Sequence, residues 1–234
     1  MQIKRYKNEF NYSYTLGIFP TIEVIKNKPD IVNKVFLSPD IEKSKGYEMI
    51  YSLCKENNIE VITDSAPFKI LSTKENVYAI AVFNKYKSAI SDGKNTVVLE
   101  NPGNAGNVGT IIRTMVGMGV HNLVIIRPSV DLFNPEVIRS SMGSLFKINF
   151  EYFDTLDSYL KITKNSIYYL SGGGKSIAEV KIEKPYSLIF GNEGSGLSSD
   201  VAKHGEVLTI KMTDEIDSFN LSVAVGIALF HTQN

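Results

Sequence analysis

Three separated stretches of the chain combine glycines with polar side chains in a pattern suited to a small ligand. The first, NPGNAGNVGTIIR from Asn101 to Arg113, follows an apolar run and leads into a helical pattern. Gly103, Gly106 and Gly109 let backbone approach an anion or nucleotide near a helix N-terminus, although a turn serving only packing explains them equally well. Their G-x-x-G-x-x-G spacing departs from the G-x-G-x-x-G of dinucleotide folds, which argues against a nucleotide-dependent oxidoreductase. Arg113 stands inside an otherwise apolar helical stretch, where it either meets an anionic partner or lies along the helix edge in solvent.

The second stretch, FGNEGSGLS from Phe190 to Ser198, sets Glu193 on an exposed turn where neither a core nor a cap role explains a carboxylate. Ser198 or Ser199 reads as a helix cap. The third runs from Ile210 as IKMTDEID and then SFNLSVAVGIALFH, placing Ser218 and Asn220 just before a long apolar helix, where capping competes with function. A further segment, SGGGKS from Ser171, ends like a phosphate-binding loop, but the glycine such a loop requires is replaced by Tyr169. It reads as a flexible turn or as a backbone cradle for part of a ligand.

The elements that would carry these loops alternate in type. Apolar runs begin at Thr96 (TVVLE), Asn122 (NLVII), Ser166 (SIYYL), Ser187 (SLIF) and Glu206 (EVLTI), with helical stretches between several of them. That order predicts a mostly parallel sheet covered on both faces, with ligands beyond the carboxyl ends of the strands. Before Ser91, KVFLS at Lys34, a helix over Ile41 to Glu56, EVIT at Glu60 and YAIAVF at Tyr78 make a smaller α/β unit. The organisation expected is a domain over residues 1–88, a linker over 89–95 around the turn-like Asp92-Gly93, and a second domain over 96–234.

Composition narrows the classes. Of 234 residues, 43% are hydrophobic and 21% charged, ordinary for a folded globular chain. The lone Cys54 and the scattered His121, His204 and His231 exclude a disulfide scaffold and a zinc module, and no metal site is expected. Lys plus Arg and Asp plus Glu both total 25, so no global basic field advertises nucleic acid. No membrane span or signal-peptide core is apparent, and the cytoplasm is the expected location. Near the start, KRYKNEFNYSY interleaves Lys4, Arg5 and Lys7 with Tyr6, Phe10, Tyr12 and Tyr14. That mixture stacks bases and meets phosphates, unless the aromatics pack under the terminus.

Taken together and in order, NPGNAGNVGTIIRT, FGNEGSGLS and IKMTDEIDSFNLSVAVGIAL closely resemble the three motifs of the SpoU family, the TrmH-like RNA 2'-O-ribose methyltransferases of the SPOUT class. RSSMGSLF at Arg139 also resembles the family's segment between its first two motifs. The likeness covers roughly Thr96 to Phe230. It implies an α/β fold with a C-terminal trefoil knot, a smaller N-terminal α/β domain related to RNA-binding ribosomal proteins, S-adenosylmethionine (AdoMet) as cofactor, rRNA or tRNA as substrate, and a homodimer that completes the site.

Carried over by motif position, the resemblance implies catalytic roles for Asn107, Arg113, Glu193, Ser218 and Asn220. It implies cofactor contacts from Leu170, Ser171, Gly172, Gly191, Ile210, Met212 and Phe219, and the basic residues expected to meet RNA are Lys4, Arg5, Lys7 and Arg139. Lys211 stands where the family usually has proline and Phe219 where it has leucine. Arg113 would bind phosphate and stabilise a developing alkoxide, or act as the base, although a guanidinium normally keeps its proton. Two other readings keep the fold: a catalytically silent RNA-binding homodimer, and methylation of an RNA base.

Overall fold

A computed structural model describes residues 3–72, 76–192 and 204–233. The chain divides into two compact units, one of residues 1–87 and 131–147 and one of residues 88–130 and 148–234.

The first unit holds a four-stranded sheet in the order β1 (Tyr12–Tyr14), β4 (Ala79–Asn84), β2 (Val32–Leu37), β3 (Glu60–Thr63). Only β2 and β3 run parallel, and the other two pairs are antiparallel. β4 is apolar from Ala79 to Phe83 and buried along that length, as a central strand demands. Helices α1 (Ile18–Asn27) and α2 (Lys45–Glu56) pack against each other, and α3 (Ala66–Leu71) follows β3. The helix expected over Ile41 to Glu56 begins later, because Ser44 caps it by accepting from the Tyr47 N–H at 3.4 Å.

Residues 131–147, placed with the second domain by the sequence, cluster with this first unit. Asp131 accepts from the Tyr6 hydroxyl at 2.6 Å and pairs with Lys85 at 2.8 Å. Phe133 and Phe146 lie against Phe83, with ring centroids 6.3 and 5.2 Å away. Gly143, at φ 79°, is required because a side chain there would drive into Glu23 and Pro20.

The second unit holds six strands, all parallel, in the order β10 (Glu206–Thr209), β8 (Ser166–Ser176), β9 (Tyr186–Phe190), β5 (Thr96–Glu100), β6 (Asn122–Ile126), β7 (Asn149–Phe153). β6 and β9 are buried at every residue, the pattern of strands covered on both faces. Helices α4 (Ala105–Gly117) and α7 (Leu221–His231) pack together, while Tyr159 of α6 (Leu156–Leu160) joins Val98, Val124, Tyr169 and Ile189 in a core cluster. The stretch 89–95, expected as a linker, is held within this unit: the Ile90 N–H donates to Glu151 at 3.3 Å and Asn122 Nδ2 donates to the Ser91 carbonyl at 2.7 Å.

SGGGKS is not the turn the sequence suggests. β8 continues through it to Ser176, pairing Lys175 with Leu208 and Ser176 with Thr209 across a register shift. A side chain at Gly174 would collide with the backbone of Val207, so the glycines here permit close strand approach. No helix among the described residues is long and apolar enough to cross a membrane.

Candidate functional site

The first and third loops come together, and so does the described start of the second, Phe190 to Asn192. Asn104 starts α4 as its N-cap, accepting from the Asn107 N–H at 2.9 Å, and this fixes Asn107 on the first turn. Asn101, just upstream, adopts φ 49° and uses its Nδ2 to donate to the Arg127 carbonyl at 2.6 Å. Its own carbonyl accepts from Asn192 Nδ2 at 2.7 Å, which ties the first loop to the second.

The third loop meets the first through a side-chain pair. Asn220, not Ser218, caps α7: its Oδ1 accepts from the Ser222 N–H at 2.9 Å and from the Ser222 hydroxyl at 2.7 Å. With that oxygen committed, Nδ2 donates to Asn107 Oδ1 at 3.2 Å.

Beside the middle of β8 and the end of β9 lies a cavity of about 430 Å³. Leu170, Phe190, Ile210, Leu221 and Ala224 form an apolar wall, and Ser171, Asn192, Thr209, Ser218 and Asn220 supply polar groups. Size and chemistry match the usual small-molecule site, a largely apolar cleft with a few fixed hydrogen-bonding groups. An adenine ring suits the apolar wall, and ribose hydroxyls and an amino-acid end suit the polar margin, so the lining fits AdoMet.

Every cofactor position named by the resemblance lies at this cavity: Leu170, Ser171, Gly172, Gly191, Ile210, Met212 and Phe219 all line it. Asp217, Leu221 and Ala224 also line it and were not singled out from the sequence; their place within the third motif was the available signal. Lys211 instead pairs with Glu179 at 2.9 Å, between two exposed side chains.

Arg113 is exposed on α4, whose buried face is formed by Val108, Ile111, Ile112 and Met115. Of the two sequence readings, the solvated helix edge holds within this single chain. Glu193, Ser198 and Ser199 lie outside the described residues. Lys4, Arg5 and Lys7 are exposed; Arg5 Nε donates to the Ile70 carbonyl at 3.1 Å and Lys7 sits 3.6 Å from Glu9. Their aromatic neighbours are not free to stack on bases: Tyr12 and Tyr14 are buried, and Tyr6 and Phe10 pack against that cluster. Arg139, half-buried, ends α5 (Pro135–Ser140) in the first unit. Among the described residues no group of three or more His, Cys, Asp and Glu is arranged to hold a metal ion.

Comparison with known proteins adds an independent line. The SpoU rRNA Methylase family matches residues 94–230. An uncharacterized tRNA/rRNA methyltransferase of Synechocystis is 30% identical over 142 residues, covering 58% of this chain and 52% of the relative, so the chain spans about half that protein's length. The 23S rRNA (guanosine(2553)-2'-O)-methyltransferase of Bacillus subtilis is 24% identical over 176 residues, covering 73% of this chain and 71% of that one. Among solved structures, the AdoMet-bound rRNA methyltransferase of Sinorhizobium meliloti superposes with a TM-score of 0.80 at 22% identity, over 95% of this chain and 87% of that one. The SpoU methyltransferase AviRb of Streptomyces viridochromogenes, in complex with AdoMet, gives 0.80 at 19% identity over 95% and 89%. At these identities the two superpositions establish the α/β fold.

Proposed function

Since the chain belongs to the SpoU rRNA Methylase family, we propose that it is an AdoMet-dependent methyltransferase that modifies a ribose 2'-hydroxyl in rRNA or tRNA. The observation that carries this reading is the convergence of the first and third motifs through the Asn220 to Asn107 hydrogen bond beside a cavity lined by the cofactor positions.

The cofactor supplies a methyl group on a sulfonium, an electrophile that a correctly placed hydroxyl can attack in line. The protein's task is then position and charge. Asn107 and Asn220 lock the two loops together, and Ser218 and Asn220 stand at the cavity margin, where the ribose would be held. The guanidinium of Arg113 binds the adjoining phosphate and stabilises the alkoxide as the hydroxyl proton passes to solvent water. Glu193 orients that arginine or the cofactor loop.

Arg113 reaches this position in a homodimer. On α7, Val223, Ile227 and Phe230 are 47%, 36% and 62% exposed, an apolar stripe at helical spacing that a second copy would cover. A side chain added at Gly226 of α7 would lie 3.9 Å from Thr114, so the two helices approach closely one residue away from Arg113. The order of the sheet, with β9 between β8 and β5 and the last helix returned onto α4, supports the knotted threading that the resemblance implies. Lys4, Arg5, Lys7 and Arg139 belong to the first unit, which selects the RNA, and the reaction takes place in the cytoplasm.

Mass mapping of ribose methylation in rRNA and tRNA from cells lacking the protein tests this. Loss of one 2'-O-methyl mark is expected, and an unchanged set of ribose marks would defeat the reading.

A further inference from the structure

Glu100 is the last residue of β5, immediately before the first motif. Leu99 pairs with Phe190, Phe190 with Leu170, and Glu100 with Ile126; Ser171 and Gly191 are the next residues after Leu170 and Phe190, so continuing the register by one step brings them level with Glu100. Residues in one row of a parallel sheet share a face, and Gly191 places no side chain between Glu100 and Ser171. Ser171 and Gly191 both line the cavity.

Two polar atoms on this face have no hydrogen-bond partner among the described residues although both are buried: Glu100 Oε2 and the hydroxyl of Tyr169, a residue with no exposed surface. Tyr169 lies two residues before Ser171 on β8, on the same face, and is close enough to feel the charges of Glu100 and of Asp157. Unpartnered buried groups are costly and call for a reason. Burial raises the Glu100 carboxyl above the usual carboxylate range and burial likewise raises Tyr169, so both favour the protonated state.

We propose that Glu100 is a positioning residue that makes this cavity prefer the cationic sulfonium cofactor over its neutral thioether product, S-adenosylhomocysteine. The proposal rests on the cofactor reading above. A cation entering beside Gly191 favours the ionised carboxylate, whose proton passes to solvent, and Tyr169 offers a hydroxyl on the same face. After methyl transfer the sulfur is neutral, the carboxyl takes a proton back from solvent, and the product is held less tightly.

Calorimetric titration of the full chain with AdoMet, S-adenosylhomocysteine and sinefungin, whose ammonium replaces the sulfonium, tests the proposal. Glu100→Gln should weaken AdoMet and sinefungin by about tenfold, the scale of a charge attraction several ångströms long at a partly buried site, and leave S-adenosylhomocysteine unchanged. Glu100→Asp, which keeps the charge but retracts it, should fall between, and Tyr169→Phe should lose part of the preference. Thermal melting of each unliganded variant reports folding separately, and Glu100→Gln should melt no lower than wild type. If Glu100→Gln shifts all three ligands equally, or none, while wild type binds them, this proposal fails and the cofactor reading stands. If wild type binds neither AdoMet nor S-adenosylhomocysteine, both fail.

Discussion

Asn220 and Asn107, 113 residues apart, are joined by a hydrogen bond of 3.2 Å, and the same Asn220 caps α7 through two bonds to Ser222. One side chain therefore starts the last helix and ties it to the loop that opens α4. Removing it should cost twice. Asn220→Ala is expected to lose about 1 kcal/mol as a cap and a further ~1 kcal/mol from the broken pair, seen in urea unfolding. In a double-mutant cycle, Asn107→Ala and Asn220→Ala should be non-additive by about 0.5–1.5 kcal/mol. Additive effects would mean the contact carries no energy.

Arg113 separates function from folding. As an exposed residue its replacement should change stability by no more than about 0.5 kcal/mol. Methyl transfer by Arg113→Ala should nevertheless fall by roughly 100-fold or more. Arg113→Lys should restore little, because a lysine lacks the planar fork that grips phosphate with two bonds; full activity of the lysine variant would rule that grip out.

The exposed stripe on α7 makes an oligomer prediction. The wild type is expected to sediment as a dimer and Ile227→Asp as a monomer. Mixing inactive Arg113→Ala with an inactive cavity variant such as Asn220→Ala should recover activity if the arginine serves the partner's site. No recovery in proven mixed dimers would place the arginine's action within its own subunit.

Gly174 and Gly172 form a matched pair. A side chain at Gly174 would stand 2.6 Å from the Val207 carbonyl carbon and 2.9 Å from the Leu208 nitrogen, whereas one at Gly172 would meet nothing within 4 Å. Gly174→Ala should part β8 from β10 and cost about 1–3 kcal/mol, roughly 2–4 °C of melting temperature per kcal/mol. Gly172→Ala should melt like wild type and show its effect in AdoMet affinity, since Gly172 lines the cavity.

Alkaline solution should loosen the fold. Burial pushes the Cys54 thiol up to about 11, and burial also raises Tyr14, Tyr169 and Tyr186. The folded state thus holds these protons more tightly than the unfolded chain. Stability is intact below the ordinary thiol value of 9.0 and falls as pH climbs towards about 11. Cys54→Ala should flatten part of that decline in urea titrations, and an unchanged slope would show the thiol is not responsible.

Much of this site was legible because its chemistry sits in contiguous motifs. The five apolar runs of the second unit all became strands, and residues of β8, the end of β9 and the stretch from β10 into α7 line the cavity. What stayed hidden depends on partners distant in sequence. NFEYF, now β7, carries Glu151 amid its apolar residues and lies at the sheet edge, so its pattern is weak. SGGGKS looks like a turn until β10 is seen beside it. The docking of residues 131–147 on the first unit rests on Asp131 meeting Tyr6 and Lys85, which no local pattern announces. Glu100 drew no notice, because a carboxylate at a strand end reads as solvated until its neighbours are known.

The account is tested most directly by incubating the purified protein with methyl-labelled AdoMet and rRNA or tRNA from cells lacking it, then digesting the product to nucleosides. Label is expected in a 2'-O-methylated nucleoside whose adjoining phosphodiester resists alkali, and it should vanish with Arg113→Ala. Label on a base, or none on either RNA, would contradict it.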